Sequence, residues 1–286
     1  MLLAAAFLLL PNQRLTAQQR PLPALAPPAE GKVQRLTLVD GSELLGRIVA
    51  VEGSVVRFES ALGVTAIPRE SIVALREESP GRTREGEYYF PHPNPTRLIF
   101  APTGRMLAGG EGYFSDYWIF FPGIAFGVSD YITLGGGVSI IPGSDQQLFY
   151  FTPKVGLVQG PTANFSLGAL VIGVPSSTGP EMTGVLYGVG TWGSPDASMT
   201  AGMGYGFVQD ELADHPAIML GGEVRAAPRL SLVTENYLLP GRNVIVSGGL
   251  RFMGRDLSVD LAAARFADEY HAFWFPLLSF NWKWGP

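Results

Sequence analysis

The 286-residue sequence has no cysteine. A disulfide framework and a thiolate metal site are therefore excluded. Charge is scarce as well: Asp, Glu, Lys and Arg make up 16% of the chain, against about 25% in ordinary soluble domains. The 20 basic residues are outnumbered by 25 acidic ones and form no stripe, so the electrostatic footprint of a nucleic-acid binder is missing. No apolar run approaches the roughly 20 residues of a membrane-spanning helix. HExxH, GxSxG and phosphate-loop motifs are absent, and no catalytic residue, metal or cofactor is expected.

What is abundant is glycine (36), proline (23) and apolar side chains (47%), with a mean hydropathy of +0.19. That apolar share is too large for a disordered chain. The glycines do not recur every third residue, which excludes a collagen-like repeat.

The apolar run Leu2–Leu10 suits the hydrophobic region of a secretory signal, with cleavage after Ala17; residues 1–17 are read as a signal peptide. Residues 18–32, with the run PLPALAPP, read as an extended linker. Residues 33–76 change character. Five short alternating segments are punctuated by Asp40-Gly41, Glu52-Gly53, Leu62-Gly63 and Pro68-Arg69, which predicts a small closed five-stranded barrel. Residues 77–95 read as a second, proline-rich linker in which His92 is a solvated loop residue.

From residue 96 to 286 one unit repeats. Tight turns at Ser129-Asp130, Gly160-Pro161, Ser194-Pro195-Asp196, Ala227-Pro228 and Gly254-Arg255-Asp256 alternate with longer polar breaks at roughly 33-residue spacing. Twelve strands are predicted: 97–102, 117–128, 131–141, 148–158, 164–174, 184–193, 198–208, 217–225, 230–238, 244–253, 257–266 and 272–284. Their lengths suit tilted membrane-crossing strands. Alternation is strict. In 217–225, Ile218, Leu220 and Val224 oppose Gly221, Glu223 and Arg225; in 244–252, Val244, Val246, Leu250 and Phe252 oppose Ser247, Gly249 and Arg251. Large apolar side chains on one face and small or polar ones on the other fit an antiparallel up-and-down barrel dissolved in lipid, in which closure pairs every backbone group. The fold class expected is therefore all-β: a transmembrane barrel of about 12 strands behind a small barrel domain.

Two resemblances add to this. The pattern LxLxDGSELxGRIVxVEGSVVRFES…GVTAIPRESIVAL in 33–76 resembles the Sm/SH3-like small barrels. NPTRLIFAPTGRMLAGGEGY (94–113) resembles the start of the barrel in uncharacterised bacterial outer-membrane proteins, and the closing FWFPLLSFNWKW looks like an outer-membrane assembly signal. The resemblance implies an outer-membrane barrel with its N-terminal domain in the periplasm. The partners expected are outer-membrane lipid, the barrel assembly machinery and a periplasmic protein docking on 33–76, with no nucleic acid.

Within the barrel, strand parity turns Lys154, Arg225, Arg251 and Lys283 toward Glu223, Glu235 and Asp260. A set so nearly balanced predicts a salt-bridged interior and an occluded lumen, since selective pores carry one sign in excess. Tyr113, Tyr117, Trp118, Tyr270, Phe273, Trp274, Trp282 and Trp284 are expected as interfacial aromatic girdles. Gly188–Gly193 matches GxGxxG, but a turn follows it instead of the helix a dinucleotide site needs. His215 and His271, with acidic neighbours, fall in outward loops and leave a rim lipid or peptide hydrolase as an alternative. A soluble periplasmic β-protein is the other. The main expectation is a structural, docking or narrow transport component.

Overall fold

The computed structural model describes residues 25–29, 32–60, 63–78, 83–84, 87–144, 146–176, 179–267 and 274–285. The signal-peptide segment 1–17 lies outside them. The chain divides into two units, Met1–Tyr88 and Tyr89–Pro286.

The first unit is an antiparallel sheet of β1 (Val33–Leu38), β2 (Glu43–Glu52), β3 (Val55–Ser60), β4 (Gly63–Pro68) and β5 (Ile72–Glu78), in the order β4-β3-β2-β1-β5. Alternation buries Leu36, Ile48, Val56, Phe58, Ile67 and Ile72 on one face, and Leu25 of the proline-rich segment packs onto that cluster. The β1–β2 turn uses Gly41 at φ +81°, a conformation that only glycine adopts at no steric cost. Ser42 donates to the Asp40 carboxylate from its backbone N–H (2.9 Å) and hydroxyl (2.6 Å), which holds that carboxyl below its ordinary range. The five strands are those expected, but the sheet is open. β5 spends its ladder on β1, so β4 and β5 become opposite edges with no hydrogen bonds between them. A 3-10 turn at Arg69–Ser71 carries the chain from one edge to the other. A two-residue ladder, β6 (Thr83–Arg84) with β7 (Glu87–Tyr88), ends the unit.

The second unit is a closed antiparallel barrel. Its strands are β8 (Gly112–Tyr117), β9 (Phe121–Ser129), β10 (Ile132–Val138), β11 (Phe149–Phe151), β12 (Lys154–Gln159), β13 (Ala163–Val174), β14 (Glu181–Ser194), β15 (Ala197–Val208), β16 (Glu211–Leu212), β17 (Ala217–Ala227), β18 (Leu230–Leu239), β19 (Asn243–Met253), β20 (Leu257–Phe266) and β21 (Phe275–Trp284). β11 and β12 are two halves of one interrupted strand, each paired with β10 and β13, and β16 is a short addition on β15. The wall thus has 12 strands, closed by β21 against β8.

The expected count holds through two errors that cancel. Arg97–Pro102 is no wall strand; it is an isolated bridge inside the barrel. The second error is a missed strand: β8 (Gly112–Tyr117) precedes the strand expected at 117–128, which starts only at Phe121 after a turn at Trp118-Ile119-Phe120. Trp118 and Ile119 sit there at φ 55° and 66°, values that bulky residues rarely take. No glycine or asparagine signals this turn, so the sequence hides it.

The wall separates two chemistries. Ile124, Phe126, Leu134, Phe165, Leu186, Leu220, Leu232, Leu250 and Leu261 are exposed on the outer face. Thr133, Lys154, Asn164, Ser166, Thr191, Thr200, Glu223, Arg225, Ser231, Glu235, Arg251, Asp260, Ser279 and Asn281 are buried on the inner one. A water-soluble barrel would reverse this arrangement. The GxGxxG glycines lie within β14. Gly188 and Gly190 sit on the outer face beneath Leu167 and Trp192, and the expected turn at Pro195-Asp196 follows them.

Candidate functional site: the lumen and its plug

From the tight-turn end to mid-barrel the interior is filled by the chain itself. Residues 89–111, the end of the expected linker and the expected first strand, enter from the tight-turn end and reverse at mid-barrel. They then return to start β8. The reversal is tied by Leu98 N–H to Ala101 O (2.8 Å) and Thr103 N–H to Thr96 O (2.9 Å). Its tip is apolar: Leu98, Ile99 and Ala101 pack with Val189, Met219, Val233, Ala264 and Leu277. Full burial of such side chains contributes about 2 kcal/mol each. The middle of the inner wall is therefore apolar, where small or polar residues were expected.

Glycine makes room for the strap. A Cβ on Gly221 would lie 2.5 Å from Leu98 Cδ1, and one on Gly156 2.8 Å from Met106 Cγ. One on Gly104 would collide with the Asn164 carbonyl of the wall. The bare backbone there lets Gly104 N–H donate to Thr191 Oγ1 at 2.8 Å.

Below the tip, charge is paired. Arg251, with no solvent exposure, grips Asp260 through Nε–Oδ1 (2.6 Å) and Nη2–Oδ2 (2.9 Å). Its Nη1 donates to Glu223 Oε2 at 2.6 Å, and Nη2 also to the Leu98 carbonyl at 2.6 Å. His92 is not solvated. It is 7% exposed, and its Nε2 lies 2.7 Å from Glu223 Oε1. Asn94 N–H donates to His92 Nδ1 at 3.1 Å, so Nε2 carries the proton and donates to the carboxylate. Asn94 Nδ2 donates to Asn281 Oδ1 at 2.9 Å, while Thr96 Oγ1 donates to Asn94 Oδ1 at 2.7 Å.

The residues picked out by parity are all inward, but they do not form one cluster. Glu223, Arg251 and Asp260 do, joined by His92 and by Arg97, whose Nη2 is 3.8 Å from Asp260. Arg225 pairs with Asp196 (3.3 Å) and donates to the Phe90 carbonyl (2.7 Å). Glu235 accepts Phe100 and Ala101 N–H, both at 2.9 Å, and Tyr237 OH at 2.6 Å. It caps the tip of the strap, and no cation pairs with it among the described residues. Lys154 donates to the carbonyls of Thr96, Thr103 and Arg105, and no carboxylate pairs with it among the described residues. Lys283 pairs with Glu111 near the tight-turn end. Sequence reading missed the strap's own members, His92, Asn94, Arg97 and Arg105. Their low periodicity and four nearby prolines resemble a linker. The available signal was the short run His92, Asn94, Thr96 and Arg97, four polar side chains in six residues.

The girdle divides. Trp118 and Trp274 are exposed at the long-connection end, and Trp282 and Trp284 at the tight-turn end, where Trp192 joins them. Tyr113 and Tyr117 face inward instead. Register along β8 puts them on the side of Ser115, and Phe114 points out to meet Phe280 at 5.7 Å between centroids. Tyr270, Phe273 and His271 lie outside the described residues; His215 is exposed on the long-connection rim.

Above the tip the lumen is open. A cavity of about 350 Å³ lies between the strap and the rim, lined by Tyr113, Tyr117, Tyr150 and Tyr187 with Arg97 and Lys154 at its base. Such a volume falls within the usual range of small-molecule pockets.

No family model matches the chain, and no curated protein does. Solved structures similar in chain path include the KdgM porin in complex with disordered oligogalacturonate (7% identity, TM-score 0.46, 60% of this chain and 97% of that one). Another is Omp33, an outer membrane protein of Acinetobacter baumannii (9%, 0.35, 62% and 96%). A third is a loop-deletion mutant of OmpT, an outer membrane protein of Vibrio cholerae (9%, 0.35, 88% and 96%). Likenesses this distant carry no function across.

Proposed function

We propose that this chain is an integral outer-membrane β-barrel held shut by its own strap, residues 89–111. It acts as a structural or docking component, not as an open pore. The observation that carries the reading is the inversion of the wall, with large apolar side chains outward around the closed sheet and the charged groups paired inside. In water that outer band would be an aggregating surface; in lipid it is the solvated one. Occlusion follows from the apolar tip and the ion pairs that anchor it. The N-terminal sheet, with the resemblance to Sm/SH3-like folds noted above, serves in this reading as a periplasmic docking module.

The test is extraction and conductance. The folded chain should need detergent for extraction and should migrate faster on a gel unheated than boiled. In planar bilayers it should give no steady current. Full solubility without detergent would overturn the membrane reading; a large steady conductance would overturn the closed lumen.

A further inference from the structure

We infer that the open half of the lumen is a binding site for a compact carboxylate with an aromatic or apolar body, its head held by Arg97.

Three observations meet there. Arg97 is 3% exposed, yet its Nε and Nη1 have no hydrogen-bond acceptor among the described residues. Only Nη2 is engaged, by Ser279 Oγ at 3.1 Å. A buried guanidinium with unmet donors is costly unless something accepts from it. Second, the lining of the cavity carries Arg97 and Lys154 but, among the described residues, no carboxylate. Asp260 lies 3.8 Å from Arg97 and is held by both arms of Arg251. Lys154, at the base of the same cavity, donates to the carbonyls of Thr96, Thr103 and Arg105. The base therefore presents the donors of two basic side chains and no acidic group. Third, the walls suit an apolar body. Arg97 stacks 4.3 Å over the Tyr117 ring, which fixes the guanidinium plane, and Phe100, Tyr113, Tyr150 and Tyr187 surround the space above. A small oxyanion alone would leave that surface wet. A neutral apolar molecule would leave the donors unmet. A carboxylate carried on a ring answers both, since charge-assisted hydrogen bonds to Arg are among the strong ones.

The assignment uses the closed barrel but not its membrane or its lack of conductance, so it can fail while the proposed function stands. The full chain is reconstituted into nanodiscs of zwitterionic lipid and dialysed to equilibrium against 2-naphthoate or the uncharged 2-naphthamide, with empty nanodiscs subtracted. The wild type should bind naphthoate at least tenfold more tightly than the amide. Arg97→Gln should abolish that preference by weakening naphthoate alone. Ala125→Phe, which fills the cavity from the inner face of β9 beside Tyr113, should remove both ligands. Folding of every sample is read from its heat-dependent gel mobility. Equal affinity of the folded wild type for both probes overturns the inference. So does a preference that survives Arg97→Gln, or binding that survives Ala125→Phe. If Arg97→Gln does not fold, the wild-type preference and the Ala125→Phe loss decide it.

Discussion

Arg251 and Asp260 face each other across the β19–β20 ladder and meet through two parallel hydrogen bonds, 2.6 and 2.9 Å long, at a site with no solvent exposure. The pair is also the hub that fixes the strap, because Arg251 reaches the Leu98 carbonyl on one side and Glu223 on the other. Removing one member of a buried pair leaves its partner charged and unpaired, at a cost of about 3–5 kcal/mol. Arg251→Met should lower the unfolding free energy in detergent micelles by that amount, read from the urea midpoint of tryptophan fluorescence. Adding Glu223→Gln and Asp260→Asn in the same chain should recover most of it. A single-variant loss under about 1 kcal/mol, the range of an exposed pair, would show that the network is not closed to water.

His92 gives a sharper contrast. Its neutral ring uses both nitrogens, accepting from Asn94 and donating to Glu223. His92→Leu removes the donor and leaves a buried carboxylate oxygen unmet, which costs about 1–3 kcal/mol. The urea midpoint should fall accordingly. Glu223→Gln, made in addition, should cost much less than the sum, because the two residues share one contact. Strict additivity of the two losses would mean that the contact carries no energy.

These two residues also mark how far the sequence could be read. Glu223 and Arg251 stand out by parity, because β17 and β19 alternate without interruption and a period of two leaves only one side for each. His92 has no period to betray it. The strap is held by tertiary contacts to a wall that only closure creates, so its buried histidine and asparagine look like loop residues beside their prolines. The same reasoning explains β8. Tyr113 and Tyr117 are aromatic residues near a strand end, which suggests an interface, but the hidden turn at Trp118-Ile119 sets the register that turns them inward. The openness of the small sheet was equally invisible. Five strands can be counted from alternation and turns, whereas pairing between β4 and β5 depends on how the sheet curls.

Gly104 tests the fit of the strap directly. Its Cα faces the Asn164 carbonyl so closely that any Cβ collides with the backbone of β13. Neither side can yield cheaply, and overpacking of this kind typically costs about 1–3 kcal/mol. Gly104→Ala should therefore displace the strap, break the hydrogen bond to Thr191, and give flickering currents in planar bilayers where the wild type gives none. Removing residues 98–101 should give larger and steadier currents. Silence from a folded deletion variant would show that something other than the tip blocks the lumen.

The outer face makes the last prediction. Leu220 lies near the middle of β17, 57% exposed and pointing away from the lumen. An arginine there would sit against hydrocarbon, where its cost is about 2–4 kcal/mol near the bilayer midplane. Val49 of the N-terminal sheet is 41% exposed, and an exposed substitution in a water-facing sheet usually stays within about 0.5 kcal/mol. Leu220→Arg should thus destabilise the chain refolded into lipid vesicles by several kcal/mol, while Val49→Arg leaves the urea midpoint of the barrel unchanged. The two exposures are similar, so the contrast isolates the solvent from the burial. Equal, small effects of both substitutions would mean that Leu220 faces water, and the membrane assignment would fail with it.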